Sequence, residues 1–363
     1  MDHLITAALQ FAAPETVESV QPYGQGNVND TYLVTRQGDA HPPFILQRLN
    51  LRVFPRPDLI MSNLQTVTAH LEDRLPRLSP GHRFETPRPL PTRKGRDHWR
   101  DAHGAWWRAL SFIDGARSYP TIRDESHARE VGRALGLFHV LLSDLPAGSL
   151  ADTLPGFHLT PRYLAHYDRV AAAAAAPDSA EVRFCREFIR RRRALAHVLE
   201  DARQGGLLRD RVMHGDPKVD NVMVDAATGL AVGLVDLDTV KPGLLHYDVG
   251  DCLRSGCNPL GEETAAWEAV RFDADLCRAV LSGYLPWVRP VLTEHDLDLL
   301  YPAVRLIAFE LGLRFFTDYL AGNVYFKVKH ADHNLARALV QFRLTASIED
   351  QEREIVALLR EGA

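Results

Sequence analysis

No stretch of this sequence approaches the ~20 consecutive apolar residues that a membrane-spanning helix needs, so no such helix is expected. Cysteine is scarce, with four in 363 residues, too few for a disulfide framework in a chain of this length. Cys252 and Cys257 have no second pair to complete a zinc site, and reduced, buried thiols in a cytoplasmic protein are expected. A surplus of positive charge is also missing. The formal net charge is -5, so a nucleic-acid partner is not expected, and the arginines at 190–193 fall on the solvated face of an amphipathic helix. The first residues, MDHLITAALQFAAPET, start acidic rather than basic and carry no charged n-region, so a short amphipathic helix is expected there. No internal repeat is found.

What is present is the composition of a globular enzyme. Hydrophobic residues make up 46% and charged residues 25%, enough to bury a sizeable core. The length suits about two domains at roughly 150 residues each. The first hundred residues read as strands around one helix. A glycine turn, Tyr23-Gly24-Gln25-Gly26, leads into the strand Thr31-Tyr32-Leu33-Val34, and Phe44-Ile45-Leu46-Gln47-Arg48 is another strand. Ile60, Leu64, Val67, Leu71 and Leu75 recur at helical spacing behind a start signal at Pro57-Asp58. Two further strands are expected around a turn at Asp101-Ala102-His103-Gly104. From about Asp124 the pattern changes to long helices, with Val131, Leu135, Phe138 and Leu142 on one face of the first. Leu300, Val304, Ile307, Leu311 and Phe315 do the same near the end. This order predicts an α+β fold, a small mixed β lobe joined to a larger, mainly helical lobe.

The chemistry concentrates at Val212-Met213-His214-Gly215-Asp216, followed four residues later by Asn221. Two apolar runs around a turn at Thr228-Gly229 predict an antiparallel hairpin ending at Asp236. Such a hairpin brings Asp216, Asn221 and Asp236 to one end. Phosphoryl transfer needs this kind of cluster. Carboxylate and amide oxygens of Asn221 and Asp236 suit Mg²⁺, and a separate carboxylate, Asp216, can orient the attacking hydroxyl and accept its proton. His214 is expected to order the loop by hydrogen bonding.

At these residues the chain resembles the aminoglycoside phosphotransferase and choline kinase superfamily, whose signature is His-Gly-Asp, four residues, Asn, and an aspartate beyond a hairpin. Tyr23-Gly24-Gln25-Gly26-Asn27-Val28-Asn29-Asp30-Thr31-Tyr32, Leu46-Gln47-Arg48-Leu49-Asn50 and Val235-Asp236-Leu237-Asp238-Thr239 resemble the bacterial N-acetylhexosamine 1-kinases within it. So do Arg314-Phe315-Phe316-Thr317-Asp318-Tyr319-Leu320 and Tyr325-Phe326-Lys327. The resemblance implies a protein-kinase-like two-lobe fold, with residues 1–110 as the N-lobe and 111–363 as the C-lobe. It also implies transfer of the ATP γ-phosphate to the anomeric hydroxyl of N-acetylglucosamine or N-acetylgalactosamine.

Several site residues follow from it. Gly24 and Gly26 would let backbone N–H groups approach the phosphates, with Asn29 adding a side-chain donor. The third strand of a kinase N-lobe usually presents a lysine paired with a helix glutamate. Gln47 or Arg48 stands there instead, and side-chain alternation lets only one of them face the cleft. The next helix has no central glutamate: Glu72 comes late, while Asn63 and Gln65 are neutral. Residues 107–113 are expected to join the lobes, and Tyr247-Asp248-Val249-Gly250-Asp251 to brace the catalytic loop. Arg314 and Tyr325 match the family's sugar pocket, although Arg314 could instead pair with Asp318 on the helix surface. Where the family usually has histidine after Gly26 and often an aromatic residue after Arg254, this chain has Asn27 and Ser255, both expected near the acceptor. Two other readings compete: a kinase for another small alcohol such as an aminoglycoside, choline or homoserine, and a nucleotide-binding module without turnover. No dense acidic run marks an aminoglycoside pocket in the last third.

Overall fold

Alternating burial drives the first third of the chain into a sheet. The computed structural model describes residues 2–24, 28–38, 41–78, 83–174 and 178–361. α1 (Asp2–Ala8) leads to β1 (Val17–Pro22), which pairs antiparallel with β2 (Asp30–Arg36), and β3 (Phe44–Arg48) joins β2 with Thr31 opposite Gln47. α2 (Pro57–Leu78) separates these strands from β4 (Pro89–Leu90), β5 (Trp99–Arg100) and β6 (Trp106–Ser111). The strand order is β1-β2-β3-β6-β4, with β5 also on β6, and every pairing is antiparallel. Asp101 makes the expected turn before β6 by accepting from the N–H groups of His103 and Ala105.

The two faces of this sheet differ in what covers them. Phe44, Leu46, Trp107 and Ala109 pack with Ala7 and Ala8 of α1. On the opposite face Trp106 packs against Ile60 and Met61 of α2, and Leu110 joins Leu64 and Val67 in the core shared with the other lobe. Period-2 alternation therefore puts Arg108 on the α2 face, between two buried apolar side chains. Trp106 and Trp107 are core residues, and Phe112 and Ile113 line the cleft where the chain crosses between lobes.

The second lobe begins with β7 (Ala116–Arg117) and α3 (Glu125–Leu141), whose N-cap Asp124 accepts from the His127 N–H. This cap contributes about 1 kcal/mol. α4 (Thr160–Ala173), α5 (Ala180–Arg192) and α6 (Val198–Gln204) follow. Then come β8 (Arg211–Met213), β9 (Val222–Asp225), β10 (Ala231–Leu234) and β11 (Lys241–Gly243). β9 and β10 form the predicted hairpin, and β8 pairs with β11. α7 (Leu245–Gly256), α8 (Ala274–Val288), α9 (Glu294–Asp298), α10 (Leu300–Leu320), α11 (His333–Asp350) and α12 (Glu352–Glu361) complete the lobe. Val304, Ile307 and Phe315 of α10 are fully buried, each contributing about 1.5–3 kcal/mol by leaving water. α3 and α8 touch backbone to backbone at two glycines. A Cβ on Gly132 would lie 1.9 Å from the Val280 carbonyl oxygen, and one on Gly283 1.9 Å from that of Arg129. Among the described residues no helix is long and apolar enough to cross a membrane.

Two contacts fix the lobes to each other near the site. The Glu85 N–H donates to the Val232 carbonyl at 2.7 Å, against Gly233, where a Cβ would lie 2.0 Å from the Glu85 carbonyl. On α2, Asn63 donates to the carbonyls of Ala151 and Val240 (2.8 and 2.9 Å) and accepts from the Ala151 N–H. The helix is thus anchored by a neutral amide where the kinase N-lobe pattern has a glutamate, and Glu72 pairs with Arg88 on the surface.

Candidate active site

The loop after β8 is held by buried hydrogen bonds before any ligand arrives. Asp248 on α7 accepts from the N–H groups of His214 (2.6 Å) and Gly215 (2.7 Å), and its Oδ2 faces His139 at 2.9 Å. Burial alone would raise its pKa, but the His139 contact and these bonds hold it below the usual carboxylate value. The motif around Asp248 therefore braces the loop, as expected. Gly215 has φ +87, and a Cβ there would lie 2.8 Å from the Thr239 carbonyl, so only glycine fits. His214 is fully buried, with Nε2 toward the Val235 carbonyl and Nδ1 accepting from the Asp216 N–H. Burial pushes its pKa down, which suits a neutral ring with one donor and one acceptor.

A third strut is absent from the sequence reading. His158, at φ 62, places Nε2 2.8 Å from the Gly215 carbonyl and Nδ1 2.9 Å from Glu310 Oε1. Both partners accept, so the ring carries both protons. Burial opposes that charge, but the Glu310 carboxylate outweighs it and the pKa is raised. Thr160 donates to the other Glu310 oxygen at 2.6 Å.

Asp216 sits half-buried at the head of this loop. Asn221 Nδ2 donates to the Asp216 carbonyl (2.7 Å) and carboxylate (3.2 Å), and Lys218 Nζ lies 3.8 Å from the same carboxylate. Withdrawal from water, reinforced by Asp251 and Asp236 and opposed by Lys218, pushes the Asp216 pKa up to about 7. Lys218, also 3.5 Å from Asp220, has its own pKa raised, chiefly by Asp216. Its sequence signal was plain in hindsight: it is the single cation between Asp216 and Asn221.

Two residues beyond β10, Asp236 takes a left-handed backbone conformation, φ 65 and ψ 53, which costs on the order of 1–3 kcal/mol. Its carboxylate opens to the cleft yet lies deep between the lobes. Its pKa is pushed up to about 6 by that enclosure and by Asp238, with Lys218 and Arg108 opposing. The Val235 N–H donates to the Asn221 carbonyl, tying the two segments together. Neither the Asp236 carboxylate nor Asn221 Oδ1 accepts a hydrogen bond from a described side chain or backbone group, and both residues line one cleft of about 620 Å³. Two free hard oxygens suit Mg²⁺, which keeps several water or phosphate ligands. Among the described residues no group of three or more His, Cys, Asp or Glu could hold a metal without such help.

On the N-lobe side, Gly24 lines the cleft at φ +73, while Gly26 and Asn27 lie outside the described residues. Asn29 is engaged differently from the expected free donor. It donates to Asp238 at 2.8 Å and accepts from the Asn50 N–H at 3.0 Å, bridging the lobes. Of the pair on β3, Gln47 turns into the cleft, donating to Thr31 and accepting from Arg108. Arg48 points to the other face, pairs with Asp30 and is exposed, so its cationic head is not brought to the site.

On the C-lobe side, Arg314 does not form the surface pair with Asp318. Asp318 accepts from the N–H groups of Val324, Tyr325 and Phe326 (2.9, 2.8 and 3.0 Å), shaping the loop that places Tyr325 at the cleft mouth. The Arg314 guanidinium lies 5.3, 5.0 and 5.5 Å from the ring centres of Phe157, Tyr163 and Phe326. Arg254 bonds to Asp251 and Glu262. Ser255 accepts from the Val219 N–H and thus supports the catalytic loop.

A sheet lobe and a helical lobe that meet at a cleft lined by Asp216, Asn221 and Asp236 define a kinase-like fold. The chain belongs to the APH phosphotransferase enzyme family, whose model matches residues 19–291. Solved structures of the same fold include a microcompartment-associated aminopropanol kinase, 17% identical with a TM-score of 0.64, the match covering 98% of this chain and 99% of that one. An aminoglycoside phosphotransferase from Alicyclobacillus acidocaldarius is 15% identical at TM-score 0.61, covering 98% and 95%. A choline kinase from Cryptosporidium parvum is 12% identical at TM-score 0.57, covering 95% and 92%.

Proposed function

We propose that this protein is a Mg²⁺- and ATP-dependent kinase that phosphorylates the anomeric hydroxyl of an N-acetylhexosamine, giving the sugar 1-phosphate. Bound Mg²⁺-ATP supplies the γ-phosphoryl group, and Asn221 and Asp236 are the residues that would hold the metal. Asp216 orients the acceptor hydroxyl and takes its proton, and an anomeric hydroxyl is acidic enough for a plain carboxylate base. Lys218 keeps positive charge beside Asp216 and so favours its ionised, proton-accepting form.

One observation carries the acceptor class. A cationic alcohol needs an open aromatic cage or unpaired carboxylates. Here the rings of Phe157, Tyr163 and Phe326 surround Arg314, so the cage is filled by the protein's own cation. The acids on that side are engaged by the protein's own groups: Asp251 through Oδ1, and Glu262, with Arg254, and Glu310 with His158 and Thr160. This leaves Asp251 Oδ2 as the one buried carboxylate oxygen there without a described partner. Such a wall favours a neutral, hydroxyl-rich acceptor bearing a carbonyl for Arg314 over an aminoglycoside, choline, ethanolamine or aminopropanol.

The test is a Mg²⁺-ATP coupled assay over N-acetylglucosamine, N-acetylgalactosamine, glucose, galactose, choline and kanamycin, with phosphorus NMR of the product. A sugar 1-phosphate is expected, with the N-acetylhexosamines favoured. Turnover of choline or kanamycin alone would discard the sugar reading and keep the family chemistry. Arg314→Met is expected to raise the acceptor KM about 10- to 100-fold, the value of a charge-assisted hydrogen bond, while leaving the ATP KM unchanged. A rise in the ATP KM instead would remove Arg314 from the acceptor wall.

A further inference from the structure

We propose that Arg108 is the cation that holds the nucleotide's phosphates in this protein, standing on β6 in place of the lysine that β3 lacks, with Asp238 as its counter-charge. The assignment rests on the ATP-dependent reading above and concerns a residue that the reading does not require.

The strand register comes first. Gln47 occupies the β3 position at which a kinase presents its lysine, and its antiparallel partner on β6 is Arg108. Directly opposed residues of antiparallel strands share a face, so a cation at position 108 reaches the same part of the cleft from one strand over. Gln47 Oε1 accepts from both Nε (3.0 Å) and Nη2 (2.7 Å) of Arg108, fixing the plane of the guanidinium. In this arrangement Gln47 is a positioning residue.

The charge partner has moved as well. Arg108 Nη2 lies 2.5 Å from Asp238 Oδ1, and the two side chains are only 1% and 2% exposed. In other kinases the helix of the small lobe supplies that carboxylate. Here α2 offers neutral Asn63, and the acid stands two residues beyond the metal-side Asp236. Asn29 holds the second Asp238 oxygen at 2.8 Å, so the carboxylate cannot swing away. The lysine and glutamate pair of the N-lobe is thus replaced by an arginine and aspartate pair that spans both lobes.

A purely structural role leaves two features unexplained. Burying an ion pair is expensive, and an apolar pair at these positions would pack at least as well against Trp106 and Leu110. The pair is also incomplete. Arg108 Nη1 is buried and has no hydrogen-bond partner, although the side chain borders the cleft beside Gln47, Asp236 and Asp238. A planar fork with one arm committed to a carboxylate and another unsatisfied suits a phosphate oxygen. The ligand class is therefore the diphosphate or triphosphate moiety of a nucleotide.

The experiment compares binding of ADP and of adenosine by calorimetry in Mg²⁺ buffer, so that the phosphate contribution is read apart from the base. The parent protein is expected to prefer ADP. In Arg108→Met that preference should fall by about tenfold or more, with adenosine affinity within about twofold of the parent, the scale of one lost charge-assisted contact. Adding Gln47→Lys to Arg108→Met returns a cation to β3 and should restore most of the ADP preference. Should Arg108→Met fail to fold, Arg108→Met combined with Asp238→Asn removes both buried charges and is measured in the same way. An unchanged ratio of ADP to adenosine affinity, with only a lower melting temperature, would overturn the proposal and leave Arg108 as a lobe brace. A parent protein that binds neither ligand would overturn the ATP reading itself, a different outcome from the first.

Discussion

Replacing Asp216 with asparagine is expected to lower kcat by about 10²–10⁴ and, at about pH 8, to raise the melting temperature of the ligand-free protein. The first effect follows from losing the group that accepts the acceptor's proton, since asparagine keeps the shape and Asn221's contact but cannot take a proton. The second follows from linkage. The folded pKa of Asp216 is about 7 against an ordinary value of 3.8, because burial and the neighbouring Asp251 and Asp236 penalise its charge. Between those values the folded state holds the proton more firmly than the unfolded chain, so this group's contribution to stability falls as pH rises from about 4 to 7. Above that range the ionised carboxylate is a standing cost, and the neutral amide removes it. For the same reason kcat/KM of the parent should fall about tenfold per pH unit below about 7, as the free enzyme loses its ionised base. Steady-state turnover of the variant, thermal melts and a pH–rate series of the parent check all three. A variant with near-parental kcat would remove Asp216 from the base role.

How much of this was legible beforehand depended on whether a residue's partner was near in sequence. β2, β3, the start of α2 and the β9–β10 hairpin all followed from periodicity and turn chemistry, which are local. The juxtaposition of Asp216, Asn221 and Asp236 followed from that hairpin. Asp248 was legible through its motif, and the structure shows why the motif has an acid there: two loop N–H groups need one acceptor. His158 was not legible. It sits in a loop 57 residues before the carbonyl it holds, and no periodicity points to it.

Arg108 and Arg314 show two different failures. Arg108 carried a signal, a charge in the middle of the apolar strand Trp-Trp-Arg-Ala-Leu, but its meaning depends on register with Gln47 and on Asp238, 130 residues away. Arg314 was ambiguous because Asp318 stands at i+4 spacing. The pairing lost because three backbone N–H groups of the following loop compete for the same carboxylate, and satisfying them is worth more than an exposed ion pair. Asn29 was assigned to the phosphates from its place after the glycine turn; the structure shows that its amide also donates to Asp238 across the lobes, a contact that exists only once both lobes are folded.

Asp236→Asn is expected to lower kcat on the order of 10³, with the loss coupled to the divalent cation rather than to the acceptor. Asparagine tolerates the left-handed backbone that Asp236 adopts, so the loop should keep its course and the change is one of charge alone. The site then offers two neutral amide oxygens instead of an amide and a carboxylate, and a hard dication binds such a pair weakly. The concentration of Mg²⁺ giving half-maximal rate should rise well above the parental value, while the acceptor KM changes little. Ligand-free stability should move as for Asp216→Asn, because the Asp236 pKa is also raised, to about 6, and above that pH the neutral amide relieves the cost of holding a charge in the cleft and the repulsion from Asp238. The two variants are thus separated by one titration. Asp216→Asn keeps the parental Mg²⁺ dependence at a low rate, and Asp236→Asn loses it. An Asp236→Asn protein with unchanged Mg²⁺ dependence would move the metal away from Asp236 and leave its strained backbone and free carboxylate without a role.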